Sequence, residues 1–317
     1  MTAPLYLTDE DVKATALSIG ELADALVPAF RKRSEGVVMM PAKTGMYPTG
    51  SDAYFHSMPA FVPGVAAGVK WVAGSPSNSS RGLAHIHAHL ILSDDETGET
   101  KAVIEAGYLT GLRTAALSLL AARSLANPEA KRLGFIGSGF QAQTHLQAFA
   151  EEFSLHQVAI YGPRPQSVRA FENYVADHFG LETVSCSHAE EVLALSDIVV
   201  TTVPAHRDLE GFLDAGALPE GAFVSMVDLG RSWKATTVGE FDRCMTDDLE
   251  QSKALAHNNA AFSGMSFSGD LSGLLVGKVE GRRNASERIA FLFPGVALAD
   301  IVAGNMILDR VQAMPLR

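Results

Sequence analysis

The sequence predicts an α/β protein. A doubly wound parallel sheet with crossover helices follows a second α/β domain, which the C-terminal helix returns to complete. Three observations predict this. Strand-length and helix-length apolar segments alternate through the middle of the chain. A Gly-x-Gly-x-x-Ala turn opens that alternation at Gly137 instead of near the N-terminus. The text ahead of it is of another kind, with short apolar runs broken by Pro, Gly and Ser.

In order, residues 8–33 read as a helix, with Thr8 as N-cap, acids in its first turn and Arg31, Lys32 and Arg33 in its last. Residues 37–41, 67–74 and 85–92 read as antiparallel strands, and Asp94 to Gly98 as the turn after the last of these. A helix over 110–125 carries a small-residue face (Ala115, Ala116, Ala121, Ala122) and is ended by Asn127-Pro128. Strands over 132–136, 158–161, 198–202 and 223–228 alternate with helices over 141–152, 165–178 and 189–195. Residues 285–293 and 295–309 read as helical. The domain division is therefore 1–126 plus about 300–317 for the first domain and 127–299 for the second.

Composition narrows the function. A chain of 317 residues with 47% hydrophobic content buries a large core, and a net charge of −11 disfavours nucleic acid as a partner. The two cysteines, Cys186 and Cys244, match no metal spacing and read as reduced thiols. No metal site, signal peptide or membrane span is expected, which points to the cytoplasm.

The glycine turn carries the chemistry. Leu133 to Ile136 is a buried strand that runs into Gly137-Ser138-Gly139-Phe140-Gln141-Ala142. Glycines there let the backbone turn tightly and approach a pyrophosphate at a helix N-terminus, the dinucleotide site of a Rossmann domain. The second strand ends Tyr161-Gly162-Pro163-Arg164 without the acid that usually grips the ribose of NAD. Arg164 can pair with a 2′-phosphate, so NADP is favoured over NAD. Thr202 and Val203 suit the rim near the nicotinamide ribose.

Several segments together resemble the ornithine cyclodeaminase/mu-crystallin family: Leu7-Thr8-Asp9-Glu10-Asp11-Val12, Met39-Met40-Pro41-Ala42-Lys43, Met58-Pro59-Ala60, Gly68-Val69-Lys70, Asn78-x-x-Arg81-Gly82-Leu83, Thr97-Gly98-Glu99, Leu109-Thr110-Gly111-Leu112-Arg113-Thr114-Ala115-Ala116, the glycine turn, and Gly295-Val296-Ala297-x-x-Asp300. The resemblance covers nearly the whole chain. It implies a Rossmann domain with an α/β substrate-binding and dimerisation domain, a homodimer, and NAD(P)-dependent chemistry on the C–N bond of a small amino or imino acid. Imine reduction of a 2-oxo acid derivative, or the reverse dehydrogenation, is the leading expectation. A cyclodeaminase lyase and a coenzyme-bound ligand-binding protein are the alternatives.

The resemblance also distributes roles. Arg113 would bind the substrate carboxylate, for which a guanidinium offers a two-pronged donor. Lys70, on an otherwise apolar strand, would orient the carboxylate or pass a proton; the alternative is an edge-strand lysine reaching solvent. Lys43, His56 and His85 are further substrate candidates. His85 and His87 alternate onto one strand face, and the competing reading makes all three histidines ordinary satisfied polar groups. Asp228 and Gly295 are assigned to the coenzyme. The chain departs from cyclodeaminases after the fourth strand. Aligned on Lys234, the family's proton-handling aspartate falls at Gly230, and Asp228 lies two residues early. Arg231 is an extra cation there, suited to a second acidic group such as that of iminosuccinate.

Overall fold

A computed structural model describes residues 3–205, 209–256 and 265–314. The chain divides into two compact units, Met1–Arg113 with Gly295–Arg317, and Thr114–Pro294.

The first unit is built on a six-stranded sheet. It opens with β1 (Leu5–Leu7), α1 (Asp9–Ala14) and α2 (Ile19–Ser34). Residues 8–33 are thus two helices, not the single one expected. Thr8 caps the first through a capping box with Asp11, and Ser18 caps the second through another with Glu21. The chain reverses between them with Ala16 at φ 48°. The strands β2 (Thr44–Met46), β3 (Tyr54–Val62), β4 (Ala66–Gly74), β5 (Ile86–Ser93) and β6 (Thr100–Glu105) follow, in sheet order β1-β6-β5-β4-β3-β2. The expected strand at 37–41 is reduced to a single bridge, Met39 to Phe61, while β3, unannounced in the sequence reading, pairs along its length with β4. Helix α3 (Gly107–Leu125) comes next, and the unit is closed by the last helix, Ala297–Ala313.

That last helix packs on β3, β4 and β5. Small residues permit the approach: a Cβ at Gly68 would lie 2.8 Å from Ile301, and one at Gly304 would strike Leu90. The face it covers carries Met58, Ala60, Leu90 and Leu92, each at most 5% exposed. Because side chains alternate along a strand, the opposite face leaves Tyr6, Trp71 and Ile91 exposed.

The second unit is an eight-stranded sheet in which every pairing is parallel. Its elements are β7 (Arg132–Ile136), α4 (Phe140–Glu152), β8 (Gln157–Tyr161), α5 (Pro165–Phe179), β9 (Glu182–Ser185), α6 (Ala189–Leu195), β10 (Ile198–Thr201), β11 (Phe223–Met226), β12 (Arg243–Thr246), α7 (Leu249–Ala256), β13 (Phe267–Asp270), α8 (Leu271–Leu275) and β14 (Ile289–Leu292). The last helix described above is α9. The order β13-β12-β14-β11-β10-β7-β8-β9 reverses direction between β7 and β10, the switch point at which such sheets bind ligands. The helix expected over 285–293 is instead the central strand β14, flanked by β11 and β12. A four-residue run buried on both faces shows neither a helical nor an alternating period, so pattern alone cannot type it. Among the described residues no helix is long and apolar enough to cross a membrane.

Candidate active site

The first unit buries charge. Lys70 sits in the middle of β4, opposite Met58 and Leu90, and is fully buried. Its Nζ donates to Asp300 Oδ1 at 2.6 Å. Asp300, in the first turn of α9, is also fully buried, and Arg113 Nε lies 3.0 Å from the same oxygen. That arginine contact is one of charge: Nε makes no aligned hydrogen bond, and Asp300 Oδ2 has no hydrogen-bond partner among the described residues. Burial and the Arg113 charge push the Lys70 ammonium down to about 7, with Asp300 opposing both. His56, on β3, is pushed down to about 4 by burial and by the charges of Lys43 and Lys70, so it is neutral at pH 7. Its Nε2 lies 3.0 Å from Tyr47 Oη.

Lys43, His56, Lys70 and Arg113 therefore act on one another electrostatically, and Asp300 joins Lys70 to Arg113. Gly295 adjoins this group: a Cβ there would lie 2.5 Å from Arg113 Nη1, so the guanidinium rests against bare backbone. His85 is half-buried just ahead of β5. Asp300, part of the segment that carries the family resemblance, has no role assigned from sequence; its signal is a lone acid among Ala, Leu, Ile and Val in a helix with no other charge in its first two turns.

The second unit holds the glycine turn at its switch point. Gly137 adopts φ +105°, and a Cβ there would lie 2.5 Å from Thr202 Oγ1. A Cβ at Gly139 would meet nothing within 4 Å, which leaves open room over the N-terminus of α4. No side chain caps that helix at Gly139, and a helix N-terminus of this kind favours a phosphate. These features fit a dinucleotide pyrophosphate. Ser138, Phe140 and Gln141 line the turn, and Ala142 is fully buried beneath it. Thr202 bonds back to the Ile136 carbonyl, with Val203 beside it half-buried. Arg164 is exposed at the N-cap of α5, and its side chain does not cap the helix.

Asp228 is buried and accepts from Thr201 Oγ1 (2.8 Å), Gly230 N (3.1 Å) and Ser232 Oγ (2.5 Å). Burial pushes its carboxyl above the usual range against those bonds and the nearby Arg231 charge. It thus organises the loop after β11. Gly230 has φ +70°, and a Cβ there would lie 2.8 Å from Leu292. An aspartate does not fit that backbone without rearrangement. One network in this unit went unread in the sequence: Ser118 Oγ lies 2.9 Å from His145 Nε2 and 2.8 Å from Ser225 Oγ, while His145 Nδ1 lies 2.7 Å from the Gln141 carbonyl. It ties α3, α4 and β11 together below the glycine turn.

The model of the ornithine cyclodeaminase/mu-crystallin family matches residues 3–314. The chain belongs to that family. It is 31% identical to an alanine dehydrogenase of Archaeoglobus fulgidus over 96% of this chain and 94% of the relative. It is 29% identical to a Δ1-pyrroline-2-carboxylate reductase of Bacillus thuringiensis over 80% of each. The solved structure of an archaeal alanine dehydrogenase dimer with bound NAD superposes with a TM-score of 0.87 at 29% identity, covering 98% of this chain and 96% of that one.

Proposed function

We propose that the protein is an NAD(P)-dependent oxidoreductase of the C–N bond in small amino or imino acids, working in the direction of imine reduction. The observation that carries this is the Lys70–Asp300–Arg113 cluster. Two buried cations against one carboxylate leave an uncompensated positive charge, which a substrate carboxylate neutralises. Neutral His56 adds no competing charge.

Gly137, Ser138, Gly139, Phe140, Gln141 and Ala142 would hold the coenzyme pyrophosphate, with Thr202 and Val203 at its rim. The nicotinamide, when bound, supplies the hydride. Arg113 clamps the substrate carboxylate with its terminal N–H edge, the part that Asp300 does not engage. Lys70, titrating near neutral pH, holds the carboxylate when protonated and can pass a proton to the product nitrogen. An iminium substrate already carries that proton, so the absence of an aspartate at Gly230 is compatible with reduction. The same absence counts against cyclodeamination, which works on an unactivated amine. Arg231 would extend recognition to a second acidic group. We assign NADP as the preferred coenzyme, on Arg164 and the lack of an acid after β8. The outer sheet face with Tyr6, Trp71 and Ile91 is assigned to a homodimer, for which a sedimentation mass of two chains is expected.

The test is a panel of 2-oxo acids with ammonia or methylamine, together with cyclic imines such as Δ1-pyrroline-2-carboxylate, assayed with NADPH and NADH. Imine-dependent oxidation of the coenzyme is expected. Conversion of ornithine to proline without net coenzyme turnover would make it a lyase. Ligand-dependent thermal stabilisation without any turnover would make it a binding protein.

A further inference from the structure

We propose that Asp300 is the positioning residue of this site, a carboxylate that holds the Lys70 ammonium and the Arg113 guanidinium through one oxygen in the attitude that receives a substrate carboxylate. The inference rests on reading Lys70 and Arg113 as that receptor.

Its geometry separates Asp300 from the acids that merely cap helices. Asp270 and Asp214, for example, accept from backbone N–H groups at their own helix starts. Asp300 lies beyond the cap of α9: the N-cap is Val296, with no side-chain bond, and Asp300 is the fourth residue of the helix. Its carboxyl is spent on two cations from other elements, Lys70 of β4 and Arg113 of α3, at 2.6 and 3.0 Å. A buried ion cluster of this kind gives little stability over a well-packed apolar one, so stability does not explain it. Orientation does. Lys70 and Arg113 lie on different elements, and both touch Asp300 Oδ1. Gly295, five residues earlier, completes the device: the guanidinium lies where a side chain at 295 would be, so it is confined by backbone on one side and drawn to Asp300 by charge on the other.

Asp300 also sets when Lys70 is charged. The groups acting on Lys70 are Arg113 from α3 and Lys43 ahead of β2, which lower its affinity for a proton, and Asp300 from α9, which raises it. His56 on β3 is neutral, and the β5 neighbour is Leu90. Without the carboxylate, Lys70 loses its proton at lower pH and the receptor loses a charge.

The experiment replaces Asp300→Asn, which keeps shape and removes charge. Two quantities are followed: the Lys70 titration, by side-chain NMR of lysine-labelled protein, and the KM for Δ1-pyrroline-2-carboxylate with reduced coenzyme. The Lys70 midpoint should fall below that of the parent. KM should rise at least about tenfold, with kcat changing less. Coenzyme affinity should stay unchanged, which reports that the variant folds. Asp300→Glu should recover part of the midpoint. Gly295→Ala, which displaces Arg113 but leaves Asp300 beside Lys70, should raise KM without the fall in midpoint that Asp300→Asn gives, because moving Arg113 away from Lys70 can only raise that midpoint. It also tests the seat if Asp300→Asn does not fold. An unmoved Lys70 midpoint and KM in Asp300→Asn overturn the positioning role. If instead Lys70→Met and Arg113→Ala leave KM unmoved, the carboxylate-receptor reading itself falls, and the inference with it.

Discussion

Two buried polar networks, one in each unit, follow opposite rules. In the parallel-sheet unit, the Ser118–His145–Ser225 chain and the Asp228 loop are networks in which donors and acceptors are matched inside the protein. His145 is pushed down to about 4 by burial, so it is neutral at pH 7. The cluster in the other unit buries whole charges and leaves them unbalanced: Lys70 and Arg113 against Asp300, with Asp300 Oδ2 unbonded among the described residues. A matched neutral network fixes a backbone. An unmatched ionic cluster keeps an attraction in reserve for a ligand. A dinucleotide at the glycine turn would be held chiefly by backbone N–H groups, for which a rigid turn suffices. A carboxylate needs a charge that water has not already neutralised.

The largest effect should come from breaking the ionic side of this contrast. Arg113→Ala is expected to lower kcat/KM for the best imine of the panel by about 100- to 1000-fold, since it removes one member of a buried charge group. Arg113→Lys should recover only part, because an ammonium lacks the fork. The same cluster sets the pH profile. Burial and Arg113 push Lys70 down to about 7, and in the proposed receptor it would bind an anion only when protonated. The profile of kcat/KM should therefore fall as pH rises through that value. Steady-state kinetics from pH 6 to 9 check both; a flat profile would remove Lys70 from the receptor.

The neutral side should show its effect in stability. His145 has a folded pKa near 4 against 6.5 unfolded. Between these values the unfolded chain binds the proton and the folded one does not, so stability falls as pH drops from about 6.5 to about 4. The slope is about 1.4 kcal/mol per pH unit, on the order of 3 kcal/mol over the window. Urea unfolding of the parent and of His145→Asn across that range should differ by this slope. Parallel curves would mean that His145 is not buried in its neutral form.

What the sequence discloses follows from how local each constraint is. The turn at Gly137 is legible because its demand, a positive φ and a Cβ-free approach to Thr202, is written in one residue type. Lys70 is legible as one charge in an apolar strand. The pair that Lys70 makes is not, because its partner lies 230 residues away and the apolar neighbours of Asp300 mark it as buried without saying what it pairs with. The second helix start was written in the text, since Ser18 and Glu21 have the capping-box spacing, but no Gly or Pro marks the break before it. Strand β14 was unreadable for the converse reason: its four residues are all buried, and only its place between β11 and β12 decides its type.

The smallest effect expected lies at the coenzyme's outer edge, and it sharpens the contrast because charge there is exposed. Arg164 stands at the start of α5 in solvent, after a strand end that offers no carboxylate to ribose hydroxyls. Water and salt screen an exposed guanidinium, so its pairing with a 2′-phosphate is worth far less than the buried Arg113 contact. Arg164→Ala should lower kcat/KM for NADPH by about tenfold or less and leave NADH nearly unchanged, with the NADPH loss shrinking as salt is raised. Equal losses for both coenzymes would take the 2′-phosphate away from Arg164 and, with it, the basis for preferring NADP.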